Sequence, residues 1–223
     1  RLAYLILYTF YKNILFFMLQ FWFVFINGYS GQSLFDRWTL AMTNIVFTGL
    51  PVVVYGCFDK DVSERTVYEY PALYSLGQKN QAINMRVFAG WSLNGLFHSA
   101  LVFVLVYLAT RGCAVWPSGI NMDLYAFGHT MYTICMVIVT IRIALDTYYW
   151  TWATHLFYWG CAAIYILWMF VYGVFWLTKT NLGDTYFHLA LLTARAPRFW
   201  LALLLATVAC LARDIVWKLF VPP

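Results

Sequence analysis

Lys12 lies within "FYKNILFFMLQFWFVF", residues 10–25, a run that is otherwise almost wholly apolar or aromatic. A cation at the centre of a bilayer costs about 2.5 kcal/mol or more, so its presence there is a functional hypothesis by default. The chemistry it offers is that of a charge needing a compensating partner where water is scarce. If the helix begins near Arg1, eleven residues at 1.5 Å each put Lys12 roughly 16 Å deep, near mid-membrane. If residues upstream carry the helix into the cytoplasm, the ammonium instead snorkels to the headgroups. Gln20 and Asn27 fall within about 80° of Lys12 on a helical wheel, which makes a polar stripe on one flank. A second set lies in "TNIVFTGLP", where Asn44, Thr48 and Pro51 occupy i, i+4 and i+7 and are expected to share a face. Pro51 removes a helical donor and frees the carbonyl of Phe47, so a helix break is expected there. That face reads either as an interhelical hydrogen bond with a packing kink or as a polar step on a substrate route.

The remaining polar sets are read as structural. Asn94 and His98 are spaced i, i+4, and His129, Thr133 and Thr140 share a face; both sets suit hydrogen bonding between helices. Arg142 and Asp146, also i, i+4, suggest an ion pair within one helix. No GxxxxGK[ST], HExxH or GxSxG motif occurs, and no carboxylates cluster, so nothing here hydrolyses a nucleotide or activates water. The five cysteines, Cys57, Cys113, Cys135, Cys161 and Cys210, are scattered and without metal-ligand spacing, as expected of small core residues.

These groups must be positioned by membrane helices. The 223 residues are 63% hydrophobic and only 10% charged, with mean hydropathy +0.70, too little polar surface to coat a water-soluble domain. The net charge of +5 is spread over loops and span ends without a basic block, so no nucleic-acid partner is expected. Six apolar segments emerge, at 2–27, 38–58, 87–110, 124–141, 147–178 and 199–212. The last reaches membrane length only if 215–221 continue the helix. The expected fold is therefore all-α, a polytopic transmembrane bundle of six spans, with both ends on one side. Arg1, Lys60, Arg65, Lys79, Arg86, Arg213 and Lys218 lie on that side, against Arg37, Arg111, Lys179, Arg195 and Arg198 opposite, a bias that puts both ends in the cytoplasm. The stretch 59–86 reads as a solvated connector. Trp22, Tyr29, Trp38, Trp116, "YYWTW" at 148–152 and Trp217 read as interfacial anchors. The sequence starts at Arg1 with an apolar stretch and no signal-peptide pattern, and a piece of a longer polypeptide is expected.

"FYKNILFFMLQFWFVFINGYSGQSLFDRW" followed by "TNIVFTGLPVVVYGCFDKDV" resembles the fifth and sixth membrane helices of type IV P-type ATPases, the phospholipid flippases. "YPALYSLGQKNQAIN", "NGLFHSALVF", "LDTYYWTW" and "LARDIVWKLF" resemble, in order, the loop before helix seven, helix seven, the junction of helices eight and nine, and the end of helix ten. The aminophospholipid-transporting branch is the most similar. The resemblance implies residues 1–57 as a helix-five/helix-six hairpin of the transport region, 58–86 as a cytoplasmic loop, and 87–223 as a four-helix support region. It implies an intact enzyme that moves phosphatidylserine or phosphatidylethanolamine from the exoplasmic or luminal leaflet to the cytosolic one, in the plasma membrane or in Golgi and endosomal membranes. Lys12 and Asn44 match polar groups beside the headgroup route, and Thr48 and Pro51 match the adjoining part of helix six. No cofactor is expected in this chain; ATP and Mg are implied for the intact enzyme. A two-span accessory glycoprotein and the rest of the ATPase, its first four helices and cytoplasmic domains, are the implied partners. Val52 follows Pro51 where many members carry a second proline, and Gln20 stands where some carry glutamate. The competing readings are a stand-alone six-span channel or secondary carrier, and a structural scaffold.

Overall fold

Backbone crossing hydrocarbon must satisfy its own N–H and C=O groups, and the apolar segments do so as helices. The computed structural model describes residues 2–60, 62, 64–70, 83–111, 124–175 and 189–220. Within them run α1 (Leu2–Ile26), α2 (Arg37–Met42), a π-helical turn (Thr43–Phe47), α3 (Gly49–Phe58), α4 (Glu64–Glu69), α5 (Met85–Thr110), α6 (Leu124–Asp146), α7 (Trp152–Phe175), α8 (Leu189–Arg195) and α9 (Pro197–Phe220). There is no strand among the described residues. Among the described residues six helical stretches are long and apolar enough to cross a membrane, with α2, the π turn and α3 making one of them. The final helix does continue past Arg213 and Asp214 to Phe220.

Helix ends follow side-chain chemistry. Asp36 caps α2, its carboxylate accepting from the amides of Trp38 (3.0 Å) and Thr39 (3.1 Å), and Asn84 caps α5 through the amide of Val87 (2.8 Å). Pro197 opens α9, where a missing N–H costs nothing. The α1–α2 connection doubles back on Gly28, Tyr29 and Gly31, all at positive φ. Gln20 then holds it: its Oε1 accepts from the amide of Leu34 at 2.8 Å and its amide donates to the carbonyl of Gln32 at 3.2 Å. Gly128 of α6 admits this loop, since a Cβ there would lie 2.2 Å from the Leu34 carbonyl oxygen.

Helix α6 is the hub, packing against α1, α3, α5, α7, α8 and α9. Met131, Ile134, Ile138 and Ile143 are fully buried there, against Tyr8, Tyr11, Leu15 and Leu19 of α1. Helix α1 lies chiefly along α5, and α3 along α7. Leu108, Trp159, Leu167 and Leu201 project outward, as residues facing lipid should.

Three expectations are corrected. Asp59, at the start of the supposedly solvated connector, is fully buried and accepts from the amides of Tyr148 (3.0 Å) and Tyr149 (2.8 Å), which ties the end of α3 to the α6–α7 corner. The rest of the connector includes the short α4, whose Arg65 and Glu69 pair at the surface, while 71–82 lie outside the described residues. Trp22 is a half-buried strut, its indole N–H donating to Ser99 of α5 at 3.1 Å, and not an interfacial anchor. Tyr29, Trp38, Tyr148 and Trp152 are exposed as anchors would be; Trp116 and the Trp217 side chain lie outside the described residues. Arg142 and Asp146 do not pair with each other: Arg142 pairs with Asp214 and Asp146 with Lys218. The reason is that α9 packs on α6 with its own i, i+4 pair in register, so each charge finds an opposite one across the interface.

Candidate functional site

The second span carries an interruption built from three residue types. Pro51 has no N–H, and its ring would meet the carbonyl four residues earlier, at Phe47, in a regular α-helix. The backbone widens just before it. The amide of Thr48 reaches back five residues to the Thr43 carbonyl at 2.9 Å, and Thr48 itself leaves the helical region at φ −121°, ψ −13°. Thr48 Oγ1 donates to the same carbonyl at 2.6 Å, so one oxygen takes two donors. Gly49 permits this, because a Cβ there would lie 2.6 Å from the carbonyl oxygen of Asn44. Thr43 Oγ1 donates to the Thr39 carbonyl (2.8 Å) and accepts from the Tyr132 hydroxyl (2.5 Å), which pins the widened turn to α6. Phe47 packs edge-on against Tyr165 of α7, ring centroids 5.4 Å apart.

Lys12 points at this turn. It is 4% exposed, and its Nζ donates to Thr48 Oγ1 at 2.8 Å. Among the described residues no carboxylate pairs with it. A buried ammonium with one hydroxyl acceptor keeps two donors for something else. Of the four residues singled out from the sequence, Lys12, Thr48 and Pro51 are brought together in buried positions. Asn44 is exposed, whereas Thr48 and Pro51 are buried. The spacing i, i+4, i+7 assumes 3.6 residues per turn, and the π turn takes in more chain per turn, which shifts Asn44 out of phase with Pro51. Gln20 and Asn27 serve the loop end of α1, away from the turn.

Behind Lys12 lies a cluster that sequence reasoning missed. Tyr4, Tyr8 and Tyr11 of α1 recur at i, i+4, i+7. Tyr4 donates to Asp146, Tyr8 to the Val139 carbonyl at 2.9 Å, and Tyr11 bonds His98 Nδ1 at 2.7 Å. The Arg142 guanidinium sits 4.5 Å from the Tyr11 ring centroid and 4.6 Å from that of Trp91. Asp214 of α9 pairs with Arg142 and accepts from Asn94 Nδ2 at 3.0 Å. Asn94 and His98 thus act between helices, as does Thr133, whose hydroxyl meets that of Tyr165 at 2.7 Å. The tyrosine periodicity was a usable signal. Asp214 gave none, since in sequence it marks only the polar end of a short apolar run.

Residues 1–222 match the family described as the phospholipid-translocating P-type ATPase C-terminal region. The chain is 38% identical over 99% of its length to the phospholipid-transporting ATPase DRS2 of Saccharomyces cerevisiae. It is 37% identical over 98% to the probable phospholipid-transporting ATPase IM of Homo sapiens, and 36% identical over 93% to the probable phospholipid-transporting ATPase 4 of Arabidopsis thaliana. It spans 16%, 18% and 17% of those relatives, respectively.

Proposed function

Because the chain belongs to the phospholipid-translocating P-type ATPase C-terminal family, we propose that it forms the last six membrane helices of an ATP-driven flippase. The cargo is an aminophospholipid, phosphatidylserine or phosphatidylethanolamine, moved from the exoplasmic or luminal leaflet to the cytosolic one. Residues 1–57 supply one wall of the route and 87–223 the support behind it, joined by a cytoplasmic connector over 58–86. Both ends of the chain face the cytoplasm, in a plasma, Golgi or endosomal membrane. A two-span accessory glycoprotein completes the assembly. Membership of this family disfavours a stand-alone channel or carrier.

The single observation that carries this reading is the buried Lys12 ammonium, held among the described residues by Thr48 at a widened helix turn. In hydrocarbon such a charge needs a partner, and a passing headgroup phosphate or carboxylate provides one while its tails stay in lipid. Thr48 orients the ammonium, Pro51 and the π turn hold Thr48 out of regular helix, and exposed Asn44 presents an amide beside them. ATP and Mg act in domains outside this chain. Among the described residues no three His, Cys, Asp or Glu side chains are grouped to hold a metal.

The test is lipid-stimulated ATPase activity of the intact enzyme over a headgroup panel. Lys12→Ala and the charge-keeping Lys12→Arg should both impair dephosphorylation driven by phosphatidylserine. Full activity in both would reduce Lys12 to a structural cation.

A further inference from the structure

Lys12 reaches Thr48 only at one rotation of α1. An extended lysine carries its Nζ about 8 Å from the helix axis, so a turn of about 20° displaces it by about 3 Å, as long as the bond it makes. Something must hold that angle. Leu15, Phe16, Leu19 and Phe23 pack α1 against the core through apolar contacts, which tolerate small rotations. Directional contacts do not. Tyr11, the residue before Lys12, is completely buried and makes two of them. Its hydroxyl bonds His98 Nδ1 of α5 at 2.7 Å, and its ring lies 4.5 Å from the Arg142 guanidinium of α6. Arg142 is itself fixed by Asp214 of α9 and by Trp91. Backbones are close at the same level, since a Cβ on Gly95 of α5 would sit 3.2 Å from the Tyr11 carbonyl oxygen. Two support helices therefore meet on one side chain of α1, and a third braces them through Arg142.

We infer that Tyr11, gripped by His98 and Arg142, is a positioning residue for Lys12: with Tyr4 and Tyr8 bonding α6 nearer the start of α1, it fixes the rotation of the helix at the level of Lys12 and with it the aim of the ammonium at Thr48. This rests on the reading of Lys12 as a headgroup contact. Tyr11 does not touch cargo, and its effect passes wholly through its neighbour.

The experiment is a mutant cycle in the intact ATPase, titrating phosphatidylserine in phosphatidylcholine vesicles and reading apparent KM and kcat, with thermal unfolding as the control for folding. Tyr11→Phe keeps the ring against Arg142 and removes the hydroxyl. It should raise the apparent KM for phosphatidylserine three- to tenfold. His98→Leu should do the same from the α5 side, whereas His98→Asn, which offers an oxygen near the Nδ1 position, should restore KM to within twofold of the parent. The double variant Tyr11→Phe/Lys12→Ala should match Lys12→Ala within twofold. Multiplied losses in the double variant would overturn the inference, as would an unchanged KM in both Tyr11→Phe and His98→Leu beside a raised KM in Lys12→Ala, which leaves the Lys12 reading intact. An unchanged KM in Lys12→Ala would overturn both. Loss of the folded enzyme in both Tyr11→Phe and His98→Leu would make the bond structural and also end the proposal.

Discussion

Replacing Asp214 with leucine probes whether the charges behind α1 are held as a closed set. The side chains of Asp214 and Arg142 are 11% and 12% exposed, so solvent screens them little. Without the carboxylate, the guanidinium remains wedged between the Tyr11 and Trp91 rings without its direct ion-pair partner. Breaking a buried pair in this way costs about 3–5 kcal/mol, and the slight remaining water contact argues for the lower end, about 3 kcal/mol. That is roughly a 150-fold change in the folded-to-unfolded ratio. Arg142→Met should cost less, because Asp214 would keep Asn94 at 3.0 Å and Arg213 at 3.9 Å. The double variant Arg142→Met/Asp214→Leu should return to within about 1 kcal/mol of the parent, since apolar groups of similar volume can replace a buried pair without loss. The assay is denaturation of the intact protein by sodium dodecyl sulfate in mixed micelles, followed by tryptophan fluorescence, on all four members of the cycle. A near-neutral Asp214→Leu, or a double variant as unstable as the two singles added, would refute the reasoning.

Two further perturbations follow from the local geometry. Gly128→Ala would push a methyl against the Leu34 carbonyl and displace the α1–α2 loop, with a cost of about 1–3 kcal/mol in the same micelle titration. Thr48→Val keeps the shape but removes both the acceptor for Lys12 and the donor to the Thr43 carbonyl; the apparent KM for phosphatidylserine should rise in the vesicle assay with folding retained.

The composition and the six apolar segments were enough to determine an all-helical membrane bundle, because hydrocarbon leaves the backbone almost no other solution. The sequence also marked Lys12, Thr48 and Pro51, since a charge or a proline in an apolar run is conspicuous wherever it stands. What it left undecided was which groups meet. Asn44 was placed on one face with Thr48 and Pro51 by a regular period, but it is exposed where they are buried, and the π turn, a product of Pro51 acting with Gly49 and the Thr43–Tyr132 contact, breaks that period. Arg142 was assigned the nearest acid along the chain, but took Asp214 from a helix 72 residues on. Trp22 looked like an anchor until α5 brought Ser99 to it. Period and hydropathy describe a helix against a uniform surrounding. The partner of a buried polar group is chosen by which other helix presents a complementary group at the same depth, and only the tertiary packing decides that.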